Sequence, residues 1–160
     1  MQTEQTLIDF SLRPATEADF PDIKGLIRQA RINPTKLDWR RFTVAVLGSV
    51  RTEEDGPEMI GCAQLKPVPR GLTELASLAV RPAYRHQGVG RALIKHLLAS
   101  APRPVYLTCR SGLGELYEKF GFRVLGVDEM PVYYRRLQRL AKTFLELTRR
   151  DETLFVMKLG

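Results

Sequence analysis

The sequence has few residues of the kinds that bind metal ions or form disulfides. It contains two cysteines, Cys62 and Cys109, and two histidines, and none of them stands at the spacing of metal ligands. Both cysteines lie in apolar, strand-like runs, which predicts buried free thiols in a reducing compartment. We therefore expect no metal site and a cytoplasmic location.

Long apolar runs and a leader-like N-terminus are missing as well. No run approaches the ~20 residues that are needed to span a bilayer. The opening residues, MQTEQTLIDF, lack a basic stretch followed by an apolar one. Membrane insertion and secretion are therefore not expected.

The overall amino-acid composition is typical of a globular protein. Of the 160 residues, 44% are hydrophobic and 27% are charged, and no repeat, linker or low-complexity segment divides them. We predict a single domain over residues 1–160. The formal net charge of +7 suits nucleic acid binding, but it equally suits a ligand that carries several phosphates, so charge alone does not decide.

The hydrophobic periodicity predicts strands and helices of an α/β (α+β) protein. The predicted strands cover residues 8–13, 42–50, 59–68, 72–80, 105–109, 122–127 and 153–159. The predicted helices cover residues 16–30, 89–100, 111–120 and 132–147, the last lying between the final two strands. Short connections predict an antiparallel meander for the early strands, whereas the helix at 89–100 allows a parallel crossover to the strand at 105–109.

The stretch from Leu75 to Leu98 passes from a strand through a glycine loop into a helix. Gly88 and Gly90 lack a Cβ, so the backbone can turn tightly and bring its N–H groups close to a ligand. The first N–H groups of a helix have no intrahelical partner, and the helix dipole is positive there. Further donors stand on Arg85, His86 and Arg91. This arrangement predicts a site for a phosphate or diphosphate.

Two familiar glycine motifs do not fit this loop. A dinucleotide fingerprint needs a third glycine where the sequence has Leu93, and no early βαβ unit precedes it. A Walker A loop needs Gly-Lys-Ser or Gly-Lys-Thr, and neither tripeptide occurs in the chain.

Arg85-x-x-Gly88-x-Gly90, directly after the strand end Leu78-Ala79-Val80, resembles the acetyl-coenzyme A loop of the GCN5-related N-acetyltransferase (GNAT) superfamily. A second segment at residues 116–122, LYEKFGF, stands about thirty residues downstream, where the family has a helix ending in Gly-Phe. The resemblance implies a mixed, mostly antiparallel sheet of six to seven strands with flanking helices. It also implies an enzyme that moves an acetyl group from acetyl-CoA to a primary amine by direct attack in a ternary complex.

The same resemblance implies which residues hold acetyl-CoA. Backbone N–H groups of Leu78, Ala79 and Val80 would bind the thioester carbonyl and the pantetheine. The loop residues expected around the diphosphate are Arg85, His86, Gln87, Gly88, Val89, Gly90 and Arg91.

Two residues are candidates for the chemistry. Tyr117 matches the family tyrosine that protonates the CoA thiolate, and a phenol with a pKa near ~10 is a reasonable donor to a thiolate whose thiol has a pKa near ~8.5. The alternative for Tyr117 is a core residue alone. Glu74 is the best-placed base for the amine, since small Ala76 shares its strand face and leaves space. The alternative for Glu74 is an exposed carboxylate at a strand end.

Other features allow more than one interpretation. Trp39 is expected to pack against the sheet, with an acceptor contact as the alternative. The additional helix could cap the acceptor site or form a homodimer interface. Its basic residues suit a solvated face better than a nucleic-acid or acidic-partner patch, because no recognition motif accompanies them: Arg135, Arg136, Arg139, Lys142, Arg149 and Arg150.

The main alternatives to an enzyme are a non-catalytic CoA-binding module and a basic nucleic-acid- or partner-binding protein on the same fold. Nucleic acid is the less expected partner. The identity of the acceptor amine is not readable from the sequence, because residues 32–42 and the region after Val127 carry no recognisable motif.

Overall fold

A computed structural model describes residues 8–48, 56–148 and 152–160, with backbone only for 144–148. Its strands are β1 (Phe10–Pro14), β2 (Phe42–Leu47), β3 (Met59–Val68), β4 (Leu72–Val80), β5 (Val105–Arg110), β6 (Arg123–Val124) and β7 (Leu154–Leu159). Its α-helices are α1 (Phe20–Gln29), α2 (Val89–Ser100), α3 (Gly114–Glu118) and α4 (Val132–Thr148).

The strands form a seven-stranded sheet in the order β1-β2-β3-β4-β5-β7-β6. β1 and β3 both pair with β2 in antiparallel fashion, and β7 pairs antiparallel with both β5 and β6. β4 and β5 are parallel, as expected for strands joined through α2. The predicted mixed, mostly antiparallel α/β sheet, with a helix before the last strand, is confirmed.

The chain divides into two compact units, and β3 and β4 contribute residues to both. The first unit comprises Met1–Leu65 and Ser77–Ser100. In its core, α1 packs on the faces of β2 and β3 through apolar side chains that are buried, namely Ile23, Leu26, Ile27, Val44, Met59 and Cys62. Trp39 is partly buried against this cluster, which confirms its expected packing role.

α2 lies close to β3 in this unit because Gly61 faces it. A Cβ at Gly61 would stand 3.1 Å from Cγ1 of Val89 and 3.3 Å from Cδ1 of Leu93. Val89 and Leu93 are themselves buried. The sheet therefore fixes the first turn of α2, and with it the glycine loop that leads into the helix.

The second unit comprises Lys66–Ala76 and Ala101–Gly160. Its core cluster brings together residues from β3, β5, β7, α4 and the segment before α4, namely Val68, Tyr106, Leu125, Met130, Tyr134 and Val156. The inward face of α4 continues through Leu137, which packs on this cluster, and Gln138, whose Nε2 donates to the carbonyl of Leu154 at 3.0 Å.

Several boundaries differ from the sequence predictions. β1 includes Pro14, which an edge strand tolerates because the missing N–H need not face a neighbour. The strand predicted over 122–127 shortens to Arg123–Val124, because a 3-10 turn over Val127–Glu129 follows at once. The helical spacing of Tyr133, Leu137, Leu140, Phe144 and Leu147 predicts one apolar face of α4, but Leu140 is 70% exposed. The side chains of Phe144 and Leu147, predicted on that face too, lie outside the described residues.

The N-terminal side of α1 carries a compact ion pair. The Asp19 carboxylate accepts from both terminal nitrogens of Arg13, at 2.7 and 2.9 Å, and from the backbone N–H of Thr16 at 2.7 Å. The Arg13 hydrogen bonds hold the pKa of Asp19 below its usual value, although burial opposes this shift. Asp19 therefore stabilises the fold above about pH 4, the pKa of an unfolded aspartate, and this stability is lost as the pH falls through the lower folded pKa.

We expect Asp19→Asn to lower the free energy of unfolding by about 1 kcal/mol at pH 7, since a capping carboxylate and a partly exposed ion pair are lost. Urea titrations at pH 7 and pH 3 measure the effect. The difference in the free energy of unfolding between Asp19→Asn and the wild type should be smaller at pH 3 than at pH 7. Asp22→Asn, in the first turn of α1, is the control for loss of an acidic charge near the helix start: it leaves the Arg13–Asp19 pair intact and should cost less stability at pH 7 than Asp19→Asn. Equal losses at both pH values would contradict a role for the Asp19 charge.

Candidate active site

The glycine loop ends at a helix start with open N–H groups. The first hydrogen bond into α2 runs from the N–H of Ala92 to the carbonyl of Gly88, at 3.0 Å. The N–H groups of Val89, Gly90 and Arg91 precede this bond, so the helix itself gives them no acceptor. Gly88 has a φ of +86°, a conformation that residues with a Cβ rarely adopt. This geometry is the one expected for an anion site.

Loop side chains brace the backbone of the same turn. Nε of Arg85 donates to the carbonyl of Val80 at 3.1 Å, and Nε2 of Gln87 donates to the carbonyl of Ala83 at 3.1 Å. His86 is exposed and has a φ of +62°. The loop is thus held in one shape by its own polar groups, while the remaining guanidinium nitrogens of Arg85 can meet an anion.

β4 changes direction just before the residues expected to hold the thioester. Ser77 has a φ of +58°, and its hydroxyl accepts from Nε2 of buried Gln64 at 2.8 Å. The thiol of Cys62 lies 3.8 Å from the Ser77 carbonyl. These β3 side chains fix the bend, and Leu78, Ala79 and Val80 follow it.

The parallel pairing of β4 with β5 is short. Its register comprises Thr73 opposite Val105 and Glu74 opposite Tyr106. Both pairs lie near the beginning of β4, whose nine residues extend to Val80. Backbone groups further along β4 are therefore candidates for binding a ligand by β-like hydrogen bonds.

Tyr117 lies in α3, in the second unit. Its side chain is nearly buried and meets Phe122 edge-on, with ring centroids 6.2 Å apart. Burial, assisted by the nearby Cys109 thiol, raises the pKa of Tyr117 to about 12. The phenol is therefore protonated at neutral pH, as a proton donor requires. No hydrogen bond joins its hydroxyl to another residue in the described part of the chain.

The cysteines are buried free thiols, as predicted. Burial raises the pKa of Cys109 to about 11, and its Sγ stands 3.8 Å from the Sδ of Met157. Burial also raises the pKa of Cys62 to about 12. Neither thiol is ionised at neutral pH, so neither is an activated nucleophile.

Glu74 forms a separate cluster in the second unit. The residue is only 4% exposed, so the alternative of an exposed strand-end carboxylate is wrong. The Tyr134 hydroxyl donates to Oε2 at 2.6 Å, and Nζ of Lys66 lies 3.3 Å from Oε1. The carboxylate is thus paired on both sides, which a buried charge requires.

Sequence reasoning missed Tyr134 and Lys66. Tyr134 follows Glu74 by 60 residues, and its ring stacks on Tyr106 with centroids 5.3 Å apart. Burial first, and then the Glu74 carboxylate, raises the pKa of Tyr134 far above its usual range. The pattern of α4 marked neighbouring Tyr133 as apolar and gave no sign that Tyr134 would meet a strand residue.

The histidine on α2 and the basic residues of α4 are exposed. His96 is exposed on α2. The basic residues of α4 within the described region are exposed, namely Arg135, Arg136, Arg139 and Lys142. Arg149 and Arg150 lie outside the described residues. Among the described helices, none is long and apolar enough to cross a membrane.

Comparison with known families and proteins extends these observations. The sequence matches the model of the Acetyltransferase (GNAT) family over residues 12–122, a range that includes the glycine loop, Glu74 and Tyr117. An amino-acid acetyltransferase of Ralstonia nicotianae is 31% identical over 133 residues, which make up 76% of this chain and 29% of that protein.

Solved structures show the same fold. N-acetylglutamate synthase from Neisseria gonorrhoeae, complexed with coenzyme A and N-acetyl-glutamate, is 25% identical with a TM-score of 0.66, over 94% of this chain and 35% of that one. A Mycobacterium tuberculosis protein in complex with CoA and NLQ is 20% identical with a TM-score of 0.64, over 91% of this chain and 97% of that one. The chain spans about a third of the length of the Ralstonia and Neisseria proteins.

Proposed function

The chain belongs to the acetyltransferase (GNAT) family, and we propose that it is an N-acetyltransferase that moves an acetyl group from acetyl-CoA to a primary amine. The observation that carries this proposal is the loop before α2, where open N–H groups and Gly88 lie within the segment that matches the family. The diphosphate of acetyl-CoA would accept from the N–H groups of Val89, Gly90 and Arg91. Leu78, Ala79 and Val80 would bind the pantetheine and the thioester carbonyl.

The proposed reaction is direct attack within a ternary complex. The amine lone pair forms a bond to the thioester carbon, the C–S bond breaks, and the electron pair of that bond leaves on sulfur as thiolate. Tyr117 donates its phenolic proton to this thiolate. Its role is supported by its place in the segment that matches the family, and burial, which raises its pKa to about 12, keeps the phenol protonated at neutral pH.

An amine is mostly an ammonium ion at neutral pH, so one proton must leave before attack. We propose Glu74 as the base that takes it, directly or through water. Its carboxylate is held in place by the Tyr134 hydroxyl on one oxygen and by Lys66 on the other. The nitrogen carries one surplus proton after attack, and this proton passes to solvent as the amide forms. Glu74 also releases its proton to solvent, and the phenolate of Tyr117 regains one from solvent after CoA leaves.

The proposed acceptor is the α-amino group of an amino acid. The names of the Ralstonia and Neisseria relatives support this class. A homodimer, a cytoplasmic location and a single domain over residues 1–160 stay predictions.

Release of CoA from acetyl-CoA, followed with a thiol reagent, tests the proposal against a panel of amino acids, polyamines and peptides with free N-termini. We expect saturable turnover with at least one amino acid, and a product whose α-amino group carries the acetyl by mass spectrometry. Tight CoA binding by calorimetry without turnover on any amine would favour the non-catalytic CoA-binding module. Absence of CoA binding at millimolar concentrations would overturn the proposal altogether.

A further inference from the structure

Tyr134 is a polar residue in the middle of an apolar cluster. Its side chain is fully buried among residues such as Val68 and Val156. A phenol hydroxyl in such a place needs a hydrogen-bond partner, because an unpaired one is costly. The partner is the carboxylate of Glu74, and the distance of 2.6 Å is that of a strong hydrogen bond to a charged acceptor.

The ring of Tyr134 is fixed as firmly as its hydroxyl. It stacks on Tyr106 with an interplanar angle of 24°, and Tyr133 meets it edge-on with centroids 5.0 Å apart. Tyr106 in turn stands opposite Glu74 in the parallel register of β4 and β5. The strand pair and the helix therefore hold donor and carboxylate in one relative geometry.

The two oxygens of Glu74 differ in how they are held. Oε2 meets the fully buried hydroxyl of Tyr134, whereas Oε1 meets the ammonium of Lys66 at the longer distance of 3.3 Å. The Lys66 side chain is 21% exposed and ends a flexible four-carbon stem, so it can move aside at small cost. The Tyr134 hydroxyl has no comparable freedom.

We propose that Tyr134 is a positioning residue for the reaction: it anchors Oε2 of Glu74 and leaves Oε1 as the oxygen that receives the proton of the acceptor amine, after Lys66 moves aside. This inference rests on the proposed function, in which Glu74 is the base. Burial keeps the Tyr134 phenol protonated throughout the usual assay range, since its pKa lies far above its ordinary value. Tyr134 therefore acts only as a hydrogen-bond donor.

A double-mutant cycle on kcat tests the inference. Tyr134→Phe keeps the stacked ring and removes only the hydroxyl. We expect it to lower kcat about 10-fold in the wild-type background, the usual size of a hydrogen bond to a charged group. In the Glu74→Gln background the same change should alter kcat less than about twofold, because the positioned carboxylate is already gone. KM for acetyl-CoA should stay within about twofold in all four proteins.

Tyr133→Phe is the matched control, since Tyr133 is the adjacent aromatic residue on the same helix; it should leave kcat unchanged. A second variant, Glu74→Asp, keeps the charge and draws the carboxylate away from the Tyr134 hydroxyl. We expect Tyr134→Phe to add little to it. Urea midpoints and CoA calorimetry establish whether each variant is folded. If Tyr134→Phe does not fold, the test is made with Glu74→Asp alone.

The outcomes separate cleanly. If the wild type is active and Tyr134→Phe leaves kcat unchanged, the positioning role is overturned. It is also overturned if Tyr134→Phe lowers kcat by the same factor in the wild-type and Glu74→Gln backgrounds, because such a loss indicates a general structural effect. A wild type that binds CoA and turns over no amine would instead overturn the proposed function, and the positioning role with it.

Discussion

Replacing Tyr117 by Phe is expected to lower kcat by about 10²- to 10⁴-fold, the usual worth of a positioned proton donor. The phenyl ring retains the edge-on contact with Phe122, so the packing around α3 should persist. The Kd for CoA should remain within about twofold of wild type, because the diphosphate loop lies on a different segment of the chain. A loss confined to kcat is the signature of an interaction that acts in the transition state.

Stopped-time assays of thiol release and calorimetric titration with CoA measure the two quantities separately. Tyr133→Phe, which removes a tyrosine hydroxyl from α4, serves again as the control. Unchanged turnover in Tyr117→Phe would remove Tyr117 from catalysis and leave it a core residue. A parallel loss of CoA affinity would show instead that the phenol contributes to cofactor binding.

The Tyr117 phenol also bears on how kcat of the wild type depends on pH. With a pKa of about 12, Tyr117 is protonated at every pH at which the enzyme is assayed. We therefore expect kcat to show no alkaline decline attributable to this phenol below about pH 10, the ordinary tyrosine value. The raised pKa also means that burial of the protonated phenol stabilises the fold below about pH 10, and this contribution is lost as the pH rises through the folded pKa.

The parts of the molecule that the sequence predicted are those governed by local signals. β4 and α2 were predicted with their observed bounds, because a run of strand-forming residues, two glycines and helical periodicity follow one another along the sequence. β3 was predicted with its observed bounds for the same reason. The residues of the loop predicted only that the ligand carries a phosphate or diphosphate. The family resemblance then identified the expected ligand as acetyl-CoA.

The parts that escaped prediction depend on contacts between distant residues. The bend at Ser77 arises in a run of residues that reads as an uninterrupted strand, and its support comes from Gln64 on the neighbouring strand. The Glu74–Tyr134 pair joins a strand to a helix 60 residues later. The position of β7 between β5 and β6 is likewise a matter of topology, because no local pattern distinguishes a central from an edge position for so short a strand.

Gly90→Asp offers the sharpest test of where the diphosphate binds, because its effects on stability and on binding should have opposite signs. A Cβ at Gly90 would lie 3.8 Å from Cγ2 of Val80, an ordinary contact, so the side chain fits. An acidic residue in the first turn of a helix stabilises it by about 0.3–1 kcal/mol. The free energy of unfolding should therefore stay level or rise.

CoA affinity, in contrast, should fall by about 10²- to 10³-fold. A carboxylate placed ~4 Å from a phosphate oxygen near the protein surface costs about 4 kcal/mol at an effective dielectric constant of ~20, and the new side chain also competes for the open N–H groups. Gly90→Asn, which has the same size without the charge, is the matched control and should lose much less affinity. Because the repulsion is electrostatic, the gap between the two variants should narrow as salt is added. Calorimetric titrations with CoA at low and high salt measure this difference in affinity. Equal affinities for the Asp and Asn variants would place the diphosphate away from the start of α2.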